Sequence, residues 1–368
     1  MTSNVQSLNI AESAVPGGKF GFIGASDLDV GKNDISTYKL SPNDYFSIEV
    51  HKGGDSVSAE LVLQKALDRE KQPTVKLTVT AVDGGNPPKS GTSQIVINVL
   101  DNNDNAPVFS SSLYKAHISE NLAVGSTVII LNATDADDGI NAEIEYSLRS
   151  KGQDQVLNQF QIDSKTGAIL VKGKIDYEDN PAFEIHAQAS DKGYPPMSAH
   201  CKVLVEVLDL NDNAPEITVT SLLNTVKEDA QVGTAIALVS VLDKDGGKNG
   251  AVKAVIANET PFKLDTNYKN YYSLVVDGPL DRETMAEYNV TIVATDEGTP
   301  PLSSTSIVNV HVSDVNDNPP RFSEQLLNVY VKENSLVGAV IKTVTAVDAD
   351  IDTNGQVSYS FLQSSTDS

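Results

Sequence analysis

Apolar and polar residues alternate one by one through much of the 368-residue chain, the period of strands with one buried face. In VKLTVTAVD (75–83), Val75, Leu77, Val79 and Ala81 fall on one side and Lys76, Thr78 and Thr80 on the other. QIVINVLD, CKVLVEVLD and SIVNVHVSD repeat the design, and each ends on the Asp that opens an Asp-rich run. Helical periodicity is scarce. Short strands separated by Gly/Pro turns predict an all-β, antiparallel Greek-key, Ig-like sandwich of about seven strands.

The pattern recurs. DNNDNAP, DLNDNAP and DVNDNPP begin at Asp101, Asp209 and Asp314, steps of 108 and 105 residues. Four other acidic signatures keep this register. Asp-x-Asp pairs stand at Asp27/Asp29, Asp135/Asp137, Asp243/Asp245 and Asp348/Asp350. The triplets DRE, DYE and DRE begin at Asp68, Asp176 and Asp281, and Asp-x-Gly followed by Pro-Pro begins at Asp83, Asp191 and Asp296. A Glu opens each unit at Glu12, Glu120, Glu228 and Glu333. The three-residue shortening falls between Asp245 and Asp281, in a trimmed loop. A repeat this long is an independent domain rather than a solenoid turn of about 20–50 residues. The expected domains are 1–104, 105–212, 213–317 and the truncated start of another at 318–368, joined end to end.

Charge sharpens this picture. Asp and Glu number 50 against 27 Lys and Arg, a formal charge of -23. Such a field repels nucleic acid and anionic lipid, and acids gathered at fixed joints demand cations. Carboxylates, amide oxygens and backbone carbonyls are the ligands that Ca²⁺ takes six to eight at a time. The lone cysteine, Cys201, excludes an internal disulfide, so another staple is needed. Cys201 lies on the inward set of its strand and reads as an inert thiol, with adjacent His200 on the opposite face. The histidines at 51, 117, 186, 200 and 311 have no catalytic or metal spacing, and no GxSxG, HExxH or phosphate loop occurs. An enzyme with a small-molecule substrate is not expected.

These signatures resemble cadherin repeats over the whole chain. The resemblance implies three calcium ions at each joint between consecutive repeats. The first joint would use Glu12, Asp68, Glu70, Asn103, Asp104, Asp135, Asp137 and Asp191, with carbonyls of Asn102, Asn105 and Asn141. The second would use Glu120, Asp176, Glu178, Asn211, Asp212, Asp243, Asp245 and Asp296, with carbonyls of Leu210, Asn213 and Asn249. There Tyr177 takes the place of a non-ligand Arg. The third has Glu228, Asp281, Glu283, Asn316, Asp317, Asp348 and Asp350, with Val315, Asn318 and Asn354 at the carbonyl positions. Its Asp-x-Gly partner would fall beyond Ser368. A poorly formed outer site there, and a fourth unit unable to fold alone, are therefore expected. At the other end Asp27, Asp29 and Asp83 form half a joint.

Within that family, LNIAESAVPGGKFGFIGASDLDVGKN (8–33) and PFKLDTNYKNYYSLVVDGPLDRE (261–283) are similar to repeats two and four of clustered protocadherins. The second stretch leans to the alpha type, and YNVTIVATDEGTPPLSS (288–304) to gamma. The resemblance implies homophilic adhesion, in which a second copy on the opposing cell is the partner, in antiparallel overlap of repeats one to four. With no Trp in the chain, strand-swapped adhesion is unavailable. A chain without the first repeat would self-associate weakly or not at all in trans. A mechanical or spacer array with a different partner protein is the other reading. No signal peptide and no apolar run of about 20 residues is present. The chain is thus expected to be an extracellular piece of a membrane-anchored glycoprotein. Sequons stand at Asn132, Asn258 and Asn289; Asn132 and Asn289 fall on polar sets, and Pro261 weakens Asn258.

Overall fold

The computed structural model describes residues 5–54, 56–149, 154–223 and 225–362; the ends of the first and last expected domains, 1–4 and 363–368, lie outside the described residues. The fold divides into two compact units, Met1–Asp176 with Asn180–Leu208, and Tyr177–Asp179 with Asp209–Ser368.

The first unit begins with β1 (Val5–Ala11), β2 (Lys19–Gly21), β3 (Ile35–Leu40), β4 (Phe46–Gly53), β5 (Ser56–Leu63), β6 (Thr74–Asp83) and β7 (Ser90–Leu100). They form two sheets, ordered β1-β7-β6-β3 and β2-β5-β4. The alternation in β6 is realised, with Val75, Leu77, Val79 and Ala81 buried and Lys76 exposed. Leu61 and Leu63 of β5 meet Ile95 and Ile97 of β7 in one core. Each such fully buried side chain contributes about 1.5–3 kcal/mol of apolar transfer.

The same unit continues with β8 (Val108–Phe109), β9 (Leu113–Ser119), β10 (Thr127–Ile130), β11 (Ala133–Thr134) and β12 (Glu145–Arg149). Then come a short helix, α1 (Asp154–Gln159), β13 (Phe160–Ile162), β14 (Ala168–Val171), β15 (Ala182–Ser190) and β16 (Ser198–Leu208). Sheets β12-β15-β16-β9 and β10-β14-β13 enclose Ile169, Val171, Ile185 and Val203, and Phe160 meets Phe183 edge-on at 5.1 Å. Cys201 is buried and unpaired among the described residues, with its thiol pushed up to about 11 by burial. His200 beside it is exposed, as alternation requires.

The second unit contains β17 (Glu216–Ser221), β18 (Thr225–Lys227), β19 (Ala235–Leu242), β20 (Val252–Ile256), β21 (Phe262–Tyr268), β22 (Tyr271–Val276), β23 (Glu287–Asp296) and β24 (Ser303–Ser313). Its sheets are β17-β19-β22-β21 and β18-β24-β23-β20, around Val239, Val241, Leu274, Val290 and Ile292. After it, among the described residues, only β25 (Arg321–Phe322) and β26 (Ala346–Val347) pair. Leu326, Tyr330, Leu336 and Val340 between them are exposed.

One feature departs from a purely antiparallel sandwich. β1 runs parallel to β7, β9 to β16 and β18 to β24. The parallel strand places the opening Glu next to the end of the last strand: the Glu12 N–H donates to Leu100 O at 3.0 Å and the Glu120 N–H to Leu208 O at 3.1 Å. Topology thus carries each Glu to the Asp-rich run that follows it.

Candidate metal centres

The first Asp-rich run lies wholly within the first unit, so its neighbourhood can be built from both flanking repeats. Glu12 is buried, and its two oxygens accept the Arg69 and Asn102 N–H groups, both at 2.7 Å. Glu12, Glu70 and Asp101 bring one oxygen each within 4.8 Å of one another, as do Glu70, Asp104 and Asp137. Asp68 accepts the Lys71 N–H at 2.9 Å and its ammonium at 2.5 Å.

The following repeat supplies the other wall. The Asp137 N–H donates to Asp135 Oδ1 at 3.0 Å, a local turn that fixes the Asp-x-Asp pair. Asn105 reaches across, donating from Nδ2 to Asp137 Oδ1 at 2.7 Å and to Asp104 Oδ1 at 2.8 Å. Asp191 is buried and accepts the Gly193 N–H at 3.0 Å, while Asn103 Nδ2 donates to it at 3.2 Å and to Pro195 O at 2.7 Å. Here glycine is required. A Cβ on Gly193 would stand 2.2 Å from Asn103 Cγ.

The second unit repeats the geometry twice, in part. Asn211 donates to Asp296 at 3.1 Å and to Pro300 O at 2.7 Å, and a Cβ on Gly298 would stand 2.2 Å from Asn211 Cγ. Asn213 bonds Asp212 and Asp245, and the Asp245 N–H donates to Asp243. Glu178, Asp209 and Asp245 gather within 4.8 Å, as do Glu228, Asp281 and Glu283. Glu228 accepts the Arg282 N–H at 2.9 Å and the Val315 N–H at 2.6 Å. Asn318 bonds Asp317 and Asp350, and the Asp350 N–H donates to Asp348. Asn316, by contrast, is exposed, where Asn103 and Asn211 are partly covered. Of the remaining expected ligands, Glu120 and Asp176 belong to the first unit, Leu210 and Asn249 to the second.

Burial is selective. Among the described residues the charged residues buried as a whole are Glu12, Glu120, Asp137, Asp191, Glu228, Asp245, Asp296 and Asp350, and each is an expected ligand. Asp29, at the half joint, has the same turn to Asp27 but remains exposed.

The electrostatics are those of acids held together against repulsion. Burial, then the charges of Glu70 and Asp137, raises the Asp104 carboxyl. Burial raises Asp135 and Asp243 as well, aided by Asp137 and Asp191 for the first and by Asp245 and Asp296 for the second. Asp317 is raised by burial and then by Glu228 and Asp350.

The donor set fits calcium. It consists of hard oxygens with no sulfur or imidazole, which excludes the usual zinc ligands. Asn103 Oδ1, Asp135 Oδ2, Asn211 Oδ1 and Asp243 Oδ2 are buried with no hydrogen-bond partner, although buried oxygens are nearly always satisfied. A cation ligated by these atoms resolves the anomaly.

Sequence reasoning missed the Asp that opens each run. Asp101 Oδ2 accepts the Asp138 N–H and the Asn141 amide, both at 2.9 Å, and Asp314 Oδ2 accepts the Ile351 N–H at 3.2 Å and the Asn354 amide at 3.0 Å. Asp209 likewise accepts the Gly246 N–H and the Asn249 amide. The signal was present: each of these Asp residues keeps the repeat register, but nothing local shows what lies some 37–40 residues ahead.

The sequons separate by environment. Asn132, Asn258 and Asn289 are all exposed, but Asn258 donates to Asn289 O at 2.7 Å and accepts the Thr291 N–H at 2.9 Å. Its amide is committed to the sheet edge.

The cadherin domain model matches residues 6–100, 114–208 and 224–313. The chain therefore belongs to the cadherin family, a class of adhesion molecules rather than enzymes. Within it the likeness is to clustered protocadherins. Protocadherin alpha-9 of Mus musculus is 52% identical over 359 residues, covering 97% of this chain and 37% of that protein. Protocadherin gamma-C3 of Homo sapiens is 49% identical over 357 residues, 97% of this chain and 38% of that protein. The crystal structure of the protocadherin GammaB4 extracellular domain superposes with a TM-score of 0.91 at 44% identity, over 100% of this chain and 57% of that one. The chain thus spans little more than a third of the curated relatives it matches. No helix among the described residues is long and apolar enough to cross a membrane.

Proposed function

We propose that this chain is the calcium-stiffened part of a cell-surface recognition molecule, organised as repeats 1–104, 105–212 and 213–317 with the start of another at 318–368. The observation that carries this reading is the coincidence of buried charge with the expected ligand set. Burying an unpaired carboxylate costs several kcal/mol, so folding eight of them inward makes physical sense when a cation compensates them. Calcium is held by Glu12, Asp68, Glu70, Asn103, Asp104, Asp135, Asp137 and Asp191 at the first joint, and by the corresponding residues of the later repeats.

The chemistry is mechanical. Both flanking repeats ligate the same ions, so binding removes the freedom of the linker between them. Kd values of roughly 10⁻⁴–10⁻³ M are usual for extracellular calcium modules, a range that millimolar calcium fills. The apolar cores do not depend on the joint, which lets a joint soften while its sandwiches persist. The exposed edges and faces then carry recognition, with a second copy of the molecule as partner, at the extracellular face of the cell. Likeness to protocadherins over 97% of the chain favours this homophilic reading over a spacer array.

Bead aggregation decides between the two. Beads coated with an ectodomain containing this chain are expected to cluster in calcium, to disperse in EDTA, and to sort away from beads bearing a related ectodomain. Beads that never cluster with their own kind, yet bind a different cell-surface protein, would support the spacer reading instead.

A further inference from the structure

The middle residue of the DRE triplet was expected to be a bystander to calcium. The structure gives it a position no bystander needs. The Arg69 guanidinium touches three separate segments: Nε donates to Asp101 Oδ1 in the Asp-rich run at 2.5 Å, and Nη2 donates to Glu70 at 2.5 Å and to the Ala136 carbonyl at 2.6 Å. Ala136 lies between the two Asp of the next repeat's Asp-x-Asp pair. The second unit builds the same fork independently. Arg282 donates to Asp314 at 2.6 Å, to the Ala349 carbonyl at 2.8 Å, and to Glu283. Both side chains are well covered, at 17% and 11% exposure.

The Asp at the centre of each fork is itself bound forward. With one oxygen on Arg69 and the other on the Asp138 N–H and Asn141 amide, Asp101 ties residue 69 of one repeat to residues 138 and 141 of the next, and Arg69 itself adds residue 136. Burial pushes the Asp101 carboxyl up, but these bonds outweigh it and hold the group below the usual carboxylate range.

We infer that Arg69 and Arg282 are metal-independent latches. Each is a positioning residue that holds the linker and the following Asp loop in register before calcium arrives. A guanidinium suits the role because it is permanently charged and offers a rigid fork of donors, and charge-assisted bonds are about twice as strong as neutral ones. A joint latched in this way pivots about a tether when calcium is low instead of swinging freely. The chain carries a contrast at the DYE triplet, where the neutral Tyr177 replaces Arg. Its ring sits against Gly246, and a Cβ there would lie 2.9 Å from Tyr177 Cε1. The residue following Asp137 is Asp138 and that following Asp350 is Ile351, so the ring and the glycine occur together.

The test is a spin-label distance across the first joint, with Lys76→Cys and Lys115→Cys in the full chain. Both lysines are exposed, and the buried Cys201, with its raised thiol pKa, stays unlabelled. In EDTA the otherwise unsubstituted chain gives a bounded distance distribution. Arg69→Met broadens it at least twofold, Arg69→Lys by less, and Asp101→Asn, which takes the charge out of the same bond from the other side, broadens it in the same direction. Circular dichroism melts confirm that the sandwiches persist; should Arg69→Met fail to fold, Asp101→Asn decides alone. Equal widths in EDTA for the unsubstituted chain and the bond-breaking variants overturn the latch. The inference rests on the calcium reading only for its consequence at low calcium. The calcium-saturated arm, in which the unsubstituted chain and Arg69→Met narrow to one distribution, tests that reading separately.

Discussion

Asp137→Asn lowers the calcium affinity of the first joint by at least about tenfold and leaves both flanking sandwiches folded. Asp137 is buried, shares its oxygens with the Asn105 backbone and amide, and gathers with Glu70 and Asp104. An amide keeps the shape and one acceptor but removes the charge. A unit charge pair at 4 Å is worth about 4 kcal/mol at an effective dielectric constant of about 20. Hydration cancels much of that, and a remainder of about 1.4 kcal/mol already amounts to a tenfold change. Asp137 is not among the apolar core residues of its repeat, such as Ile169, Ile185 and Val203, so the fold itself should tolerate the change. Calorimetric calcium titration reads the affinity, and melting in EDTA reads the fold. An unchanged affinity, or a melting point in EDTA lowered by many degrees, would contradict this assignment.

Removing calcium has the larger effect on the whole chain. A site held at about ten times its Kd adds about 1.4 kcal/mol to folding by mass action, and two such sites on one repeat about 2.8 kcal/mol. A domain of about 100 residues shifts by roughly 4–8 °C per kcal/mol. EDTA is therefore expected to lower the melting temperature by at least about 10 °C relative to millimolar calcium, with magnesium restoring little of it. Magnesium demands a small octahedral shell and keeps its waters, whereas protein oxygens crowd these sites. The ionised forms of Asp104, Asp135 and Asp243 are disfavoured by burial and then by neighbouring charge. Those costs fall on the calcium-free fold at neutral pH. Melting curves that coincide in calcium and EDTA would remove the stabilising role.

The sequence displayed its strands openly because each buried face is written locally. Val75, Leu77, Val79 and Ala81 needed no partner to be recognised. The parallel pairing of β1 with β7 was not legible, since Val5 meets Gln94 and no short-range pattern records so distant a register. Something similar holds for the ligands. Asp-x-Asp pairs announce themselves because the turn that fixes them closes within two residues, as from Asp137 N–H to Asp135. Arg69 looked inert for the opposite reason. Its partners Asp101 and Ala136 lie 32 and 67 residues away, and only the assembled joint brings them to one guanidinium. Asn258 looked weak as a sequon because of Pro261, while its bonds to Asn289 and Thr291 depend on cross-strand register.

The central claim is that calcium occupies the oxygen cage at the first joint, and a crystal structure of the chain grown in millimolar calcium tests it most directly. The expected result is anomalous density for calcium with ligand distances of about 2.3–2.6 Å to Asn103 Oδ1 and Asp135 Oδ2, the oxygens left without hydrogen-bond partners. Finding those two oxygens satisfied by water or by protein donors, with no cation between Glu70, Asp104 and Asp137, would contradict it.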